Sequence, residues 1–328
     1  MKGEKLSIFN ASLALFVISE VFAGPFRFMS AQLGTPILSY VPKLFFVLAV
    51  CLIFVRQVWL KRSMDKRLII ILLVLAWSTV FGWINSRDWL RVGFDLWLLF
   101  PLFAGILFSN RIIKQWPAWR SFYVILWGIL VAGVLMNSLI EFPWEGTTFS
   151  IQNLDLRISK LGYALGKKRL AGFGRTSGAV SAQIAIMFIL ASFVLWRRRL
   201  LWVIMFSISL LAVYLSTTKT IFVMMTITGL IYISRYFSKA ISVALMKALI
   251  LIMGCITLLL PMVSFRFESQ ELERTRTLLF SFFDRLLSIW PDVFDFVIER
   301  GNWVLGVGLG NAGVVVTVLE GNSGAHLS

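Results

Sequence analysis

The feature that most constrains this chain is a series of long apolar segments, which recur from near the N-terminus to about residue 262. Most are about 17 residues or longer, enough for an α-helix to cross roughly 30 Å of hydrocarbon. They lack the strict alternation of barrel strands, and backbone groups in lipid must be bonded internally, so helices are predicted. We predict an all-α, polytopic helical bundle of at least nine spans, at about 6–23, 38–55, 68–84, 93–109, 121–140, 178–196, 200–216, 220–234 and 242–262.

The composition agrees with a membrane protein, because 59% of the residues are hydrophobic and the mean hydropathy is +0.84. The formal charge of +16 could instead indicate a nucleic-acid partner. However, Lys and Arg concentrate in alternate connections, as they do in the cytoplasmic loops of membrane proteins. With the N-terminus in the cytoplasm, that side holds 16 of the 32 basic residues and, among acidic residues, only Glu4 and Asp65. No nucleic-acid partner is therefore predicted.

Two long connections lie on the outer side of this topology, at residues 141–177 and 263–328. The first carries more basic than acidic residues, although orientation in the membrane requires no positive charge there. The second contains an amphipathic stretch, residues 273–290, which is expected to lie in the membrane–water interface. After it, Pro291 is expected to open another short helix. No repeat or linker divides the chain, so residues 1–328 are predicted to form a single membrane domain.

Four outer arginines are candidates for binding an anion, namely Arg169 and Arg175 in the first loop and Arg276 and Arg285 in the second. A guanidinium group stays charged and can bind phosphate through two parallel hydrogen bonds. As a set near the outer boundary of the bilayer, these groups suit a diphosphate carried on a lipid. For any one arginine, the alternative is an ordinary solvated loop charge.

Two further residues have alternative interpretations. Lys219 lies in a turn rich in hydroxyl side chains, where it would either face an anion at a helix N-terminus or extend from a helix end to the interface. His326 is the one histidine of the chain. Imidazole titrates near neutral pH and suits general base catalysis, but a histidine on a polar tail can also have no special role. With one histidine and two cysteines in apolar segments, neither a metal site nor a cofactor is predicted.

Five stretches of the outer sequence follow one another in a fixed order: RLAGFGRTSGAVSAQIA from Arg169, LSTTKTIFV from Leu215, RTRTLLFSFFDRLLSIW from Arg274, VLGVGLGNAG from Val304 and AHLS from Ala325. Their order resembles the O-antigen polymerase and O-antigen ligase family of bacterial inner membranes. The resemblance covers roughly residues 169–328, and the first half resembles the family only as a bundle of spans. The family has Ser-Arg where this chain has Thr218-Lys219, and it continues through further spans, so the resemblance implies truncation at the C-terminus.

The resemblance implies a metal-independent glycosyltransferase, without a cofactor, that polymerises undecaprenyl-diphosphate-linked oligosaccharide repeat units at the periplasmic face. It also implies that His326 is the catalytic base. The diphosphate and glycan would be bound by Arg169, Arg175, Lys219, Arg276 and Arg285. Two alternatives stay open: an O-antigen ligase that transfers the glycan to lipid A core, and a flippase or transporter of lipid-linked oligosaccharide. The implied partners are the lipid-linked glycan, the inner-membrane bilayer, a chain-length regulator and other polysaccharide-assembly proteins.

Overall fold

The computed structural model describes residues 8–55, 66–114, 116–151, 154–159, 162–164, 167–195, 198–264, 286–287 and 290–299. Within these ranges the protein is mainly helical, as predicted. The chain divides into two compact units. The first contains Met1–Ser63 and Ser109–Tyr236, and the second contains Met64–Phe108 and Phe237–Ser328. All described residues of the candidate site belong to the first unit.

A helix occupies each of the nine positions at which the sequence predicts a span. The helices of the described part are α1 (Ile8–Val21), α2 (Ala23–Gln32), α3 (Val41–Val55), α4 (Lys66–Ser86), α5 (Trp89–Lys114), α6 (Trp116–Leu139), α7 (Ser177–Leu195), α8 (Arg199–Leu215), α9 (Lys219–Phe237), α10 (Lys239–Ser264) and α11 (Trp290–Glu299). A 3₁₀ turn, Pro36–Tyr40, leads into α3.

Five helical segments of the described chain are long and apolar enough to cross a membrane, and α1 with α2 would make a sixth as one bent pair. The apolar parts of α7, α8 and α9 are shorter. The number of spans and the side of the N-terminus therefore stay predictions. The five segments are Pro36–Val55, Ile69–Ser86, Trp89–Ile106, Trp119–Leu139 and Lys239–Ile256.

The first predicted span ends in a sharp break rather than in a simple connection. The chain turns by 85° between α1 and α2, and Phe22 lies at the junction outside the helical conformation. Pro25 falls in the first turn of α2, where a missing N–H is tolerated because first-turn N–H groups have no partner within the helix. The sequence analysis predicted no helix between residues 24 and 37, so this element is a correction.

The predicted loop 141–177 contains two short antiparallel hairpins, which the all-α prediction did not include. Strand β1 (Thr148–Ile151) pairs with β2 (Leu154–Arg157), and β3 (Gly162–Ala164) pairs with β4 (Lys167–Arg169). In the second register, Gly162 lies opposite Arg169. Strands of three or four residues give too short an alternation of polar and apolar side chains to be recognised in a sequence.

The core of the first unit lies along α6, α7 and α8. Leu130 of α6 and Phe188 of α7 are fully buried there among other large apolar side chains. A polar pair joins α6 to α8 in this core: the indole N–H of Trp127 donates to Ser209 Oγ at 2.8 Å. Such pairing between helices is expected where water is excluded. The packed helices form a rigid base for the segments at their ends.

In the second unit, a capped helix start joins α4 to α5. Asp88 Oδ1 accepts the backbone N–H of Leu90 at 2.8 Å, as expected of an N-cap residue, and Asp88 Oδ2 lies 3.2 Å from Arg91 Nε;. Arg87 has a positive φ of 54°, and its guanidinium lies 5.3 Å from the centre of the Trp83 ring. This stacked arginine provides a matched control for an experiment described below.

The second predicted outer connection, residues 263–328, is described only in part. Helix α11 begins at Trp290 with Pro291 in its first turn, as the sequence predicts. The amphipathic stretch 273–290 lies outside the described residues, apart from 286–287 and Trp290.

Candidate anion-binding site

Three of the six predicted site residues, Arg169, Arg175 and Lys219, lie in the described part of the chain. The other three, Arg276, Arg285 and His326, lie outside the described residues, so their roles stay predictions.

Residues 170–174 form a tight turn against the end of α6. Gly172 has a φ of +55°, its N–H donates to Asn137 Oδ1 at 3.1 Å, and its carbonyl accepts the indole N–H of Trp144 at 3.3 Å. A Cβ at this position would lie 2.9 Å from the backbone of Gly133. Glycine therefore provides both the backbone conformation and the close approach to α6.

Phe173 joins this turn to the break between α1 and α2. Its carbonyl accepts the backbone N–H of Gly24 at 2.8 Å, and its ring stacks on Phe22 with a centroid distance of 5.6 Å. A Cβ on Gly24 would lie 2.6 Å from Trp144 Nε1, so this approach also requires glycine. The α1–α2 break, the 3₁₀ turn and the described residues between 140 and 176 thus share one end of the first unit, which we call the loop end.

An ion-pair network connects the second hairpin to the last turn of α6 and the residues that follow it. Lys168 Nζ lies 3.0 Å from Glu141 Oε1 and 2.5 Å from Glu145 Oε2, and Asn137 Nδ2 donates to the other Glu145 oxygen. Burial acts to lower the pKa of Lys168, but the hydrogen bonds and charges of Glu145 and Glu141 outweigh it and raise that pKa;. The resulting stabilisation is complete below the ordinary pKa of lysine and is lost only as the pH rises through the raised value. It therefore persists through the neutral range.

The two glutamates of this network are expected to contribute unequally to stability. The Glu145 side chain is 9% exposed and that of Glu141 is 88% exposed, although both contact the same ammonium group. We expect Glu145→Ala to lower the free energy of unfolding by about 2 kcal/mol, because it removes the nearly buried carboxylate that accepts from both Lys168 and Asn137;. Glu141→Ala should cost less than about 1 kcal/mol, as for other exposed ion pairs. Thermal unfolding of the two purified variants measures the difference, and equal losses would contradict the described burial.

Arg175 lies in a group of charged residues at the loop end. It interacts electrostatically with Arg27, Tyr40 and Glu20, and Lys43 interacts with Glu20 and Arg27. We call Arg27, Lys43 and Arg175 the cation cluster, with Glu20 as its associated carboxylate. Part of Arg175 is exposed, but burial of its guanidinium group and the nearby positive charge of Arg27 lower its pKa. Arginine nevertheless stays charged at neutral pH, so like charges are held together here.

Arg27 is oriented by an aromatic ring. Its guanidinium lies 5.3 Å from the centre of the Tyr40 ring, a cation–π distance;. Its Nη1 atom is buried and has no hydrogen-bond partner within the described chain. Buried donors are nearly always paired, so an orphaned guanidinium nitrogen indicates a position that can receive an acceptor.

Lys219 begins α9, beside a buried group of hydroxyls. Ser181 Oγ lies 2.6 Å from Ser216 Oγ and donates to Thr218 Oγ1 at 3.0 Å. Thr217, which lies between Ser216 and Thr218 in the sequence, has a φ of 54°. Its hydroxyl is buried with no hydrogen-bond partner among the described residues. A β-branched residue in this conformation is strained, and such strain is concentrated at functional sites.

The structure therefore brings some predicted residues together and separates others. Arg175 lies two residues before α7, and Ser181, one turn into α7, contacts the turn that precedes Lys219. Arg169, in contrast, lies at the end of β4, outside the cation cluster. Arg27 and Lys43 were not among the predicted site residues. The signal was present, since these basic residues lie in or next to a predicted outer connection, where orientation requires no positive charge.

No protein-family model matches the chain, and no curated protein and no solved structure is significantly similar to it. Within the described residues, no group of three or more His, Cys, Asp or Glu side chains could hold a metal ion. The chemistry of the site must therefore be inferred from its charges and geometry.

Proposed function

We propose that this protein is a glycosyltransferase of the bacterial inner membrane that polymerises undecaprenyl-diphosphate-linked oligosaccharide repeat units at the periplasmic face. The observation that carries the proposal is the cation cluster around Arg175. A diphosphate is a compact, multiply charged anion, and arginine groups are its usual protein ligands. The first unit, which carries the loop end, contains helices long and apolar enough to cross a membrane. Such helices fit a substrate whose isoprenoid tail lies in lipid.

The reaction exchanges one bond of the anomeric carbon for another. A hydroxyl of the acceptor sugar attacks the anomeric carbon of the donor glycan, and a glycosidic C–O bond forms. The C–O bond to the diphosphate breaks, and undecaprenyl diphosphate leaves with the bonding electron pair. Cations that hold the diphosphate stabilise the negative charge that develops on it. The hydroxyl proton passes to a general base, a role for which His326 stays the candidate.

The Glu20 carboxylate neutralises only part of the positive charge of the cation cluster. With one carboxylate beside Arg27, Lys43 and Arg175, the group keeps a net positive charge. An incoming diphosphate would therefore meet attraction rather than balanced charge. Lys219, exposed at the start of α9, provides a further positive charge for the glycan or the diphosphate.

Deletion of the gene, followed by gel analysis of surface glycan, tests the proposed function. Loss of a polymerase leaves single repeat units on the acceptor or on the lipid carrier. Long chains that accumulate on the carrier would instead indicate a ligase, and units retained on the cytoplasmic side would indicate a flippase. An unchanged glycan in the deletion strain would contradict all three functions.

A further inference from the structure

We propose that the broken N-terminal helix pair supplies half of the diphosphate site, with Arg27 binding the anion together with Arg175. The sequence resemblance is confined to residues 169–328, so it assigns no role to Arg27 or Lys43. The identity of the anion, a lipid-borne diphosphate, rests on the proposed function. The existence of an anion site at the loop end does not.

The first argument is the geometry of Arg27. Its guanidinium carbon lies 5.3 Å from the centre of the Tyr40 ring, a cation–π contact that restricts the orientation of the group;. The buried Nη1 atom has no partner within the described chain. A buried guanidinium nitrogen lacking an acceptor is costly, and a phosphate oxygen would satisfy it.

The second argument is charge. Among the described residues, Glu20 is the carboxylate that interacts with Arg175, and no ion pair within 4.0 Å joins Arg175 or Arg27 to any described carboxylate. Arg27 and Arg175 instead affect each other as like charges. Because Glu20 balances only part of this positive charge, the like charges kept near one another favour an additional anion.

The third argument is that the two halves of the site are mechanically joined. Gly24, three residues before Arg27, donates its N–H to the carbonyl of Phe173, two residues before Arg175. At the end of α1, the Glu20 carbonyl accepts a hydrogen bond from Gln183 Nε2 of α7 at 3.4 Å. The α1–α2 break therefore places Arg27 relative to Arg175 through backbone contacts, as a preorganised ligand site requires.

The test measures binding of inorganic pyrophosphate and of undecaprenyl diphosphate to the purified full-length protein in lipid nanodiscs, by calorimetry at low salt. We expect Arg27→Gln to weaken binding of both probes at least tenfold. Arg87→Gln is the matched control, because Arg87 also lies 5.3 Å from a ring centroid, that of Trp83, but belongs to the second unit. It should leave both affinities unchanged.

Three outcomes would overturn the inference: unchanged binding in Arg27→Gln, equal weakening in Arg87→Gln, or a lipid affinity that does not respond although pyrophosphate binding does. If Arg27→Gln fails to fold, Arg27→Lys is the deciding variant, because it keeps the charge and loses the planar fork. Arg27→Lys should weaken binding by a smaller factor, and wild-type affinity would contradict the role of Arg27.

The site and the proposed function can fail separately. Anion binding that depends on Arg27 in a protein whose gene deletion leaves the surface glycan intact would reject the polymerase and retain the site. Normal anion binding by Arg27→Gln, together with loss of polymer when the gene is deleted, would reject the site and retain the polymerase.

Discussion

Alanine at Gly172 is expected to lower the free energy of unfolding by about 3 kcal/mol or more, and to release the loop end from α6. An L-residue with the observed φ of +55° costs roughly 1 kcal/mol relative to glycine;. The larger cost comes from space, since the new Cβ would lie 2.9 Å from Gly133 C and Val134 N. Both atoms belong to the backbone of α6 and cannot rotate away as a side chain can.

Thermal unfolding and limited proteolysis of the purified variant measure this effect. The control is Gly178→Ala at the start of α7, where an added Cβ would meet nothing within 4 Å. It should be nearly neutral or slightly stabilising, because alanine favours a helix more than glycine does. Equal stability of the two variants would show that the turn does not approach α6 as described.

Arg175→Gln is expected to reduce glycan polymerisation by about 100-fold or more, the usual cost of removing one group that stabilises a developing anion. Arg169→Gln should reduce it much less, because both side chains are exposed but only Arg175 belongs to the cation cluster, whereas Arg169 ends β4. The measurement is the glycan length distribution in a deletion strain complemented with each variant. Membrane levels of both proteins should first be shown to equal that of the wild type.

The ranking of these two arginines distinguishes the described site from a general effect of positive charge. If both variants lose polymer equally, the loop charge acts as a set and the cation cluster has no special role. If Arg169→Gln alone loses polymer, the site lies at the hairpin rather than beside α1 and α2. Either result would contradict the assignment of Arg175.

Most helices of the described chain could be predicted from the sequence because their apolar segments are long;. The break between α1 and α2 could not, since Gly24 and Pro25 ordinarily indicate a turn. What keeps α2 in place is a contact with Trp144 and Phe173, far along the chain. Such non-local packing leaves no periodic pattern in a single sequence.

The candidate site was predicted in part. Arg175 stood out because its loop carries charge that orientation does not explain. Its neighbours Arg27 and Lys43 belong to another part of the sequence, and only the contact between the α1–α2 break and the turn at Gly172 brings them to it. Thr217 was noticed as one hydroxyl of a polar turn, but its positive φ depends on backbone geometry that a sequence does not specify.

The most direct test of the central claim, that the cation cluster lies on the outer side of the membrane, is cysteine labelling in intact spheroplasts. With Cys51 and Cys255 replaced by alanine, Gly178→Cys adds a thiol at an exposed position three residues after Arg175. We expect a membrane-impermeant maleimide to label Gly178→Cys, and to label Arg198→Cys at the exposed start of α8 only after lysis. Labelling of Arg198→Cys in intact spheroplasts, with Gly178→Cys protected until lysis, would place Arg175 on the cytoplasmic side and contradict the account.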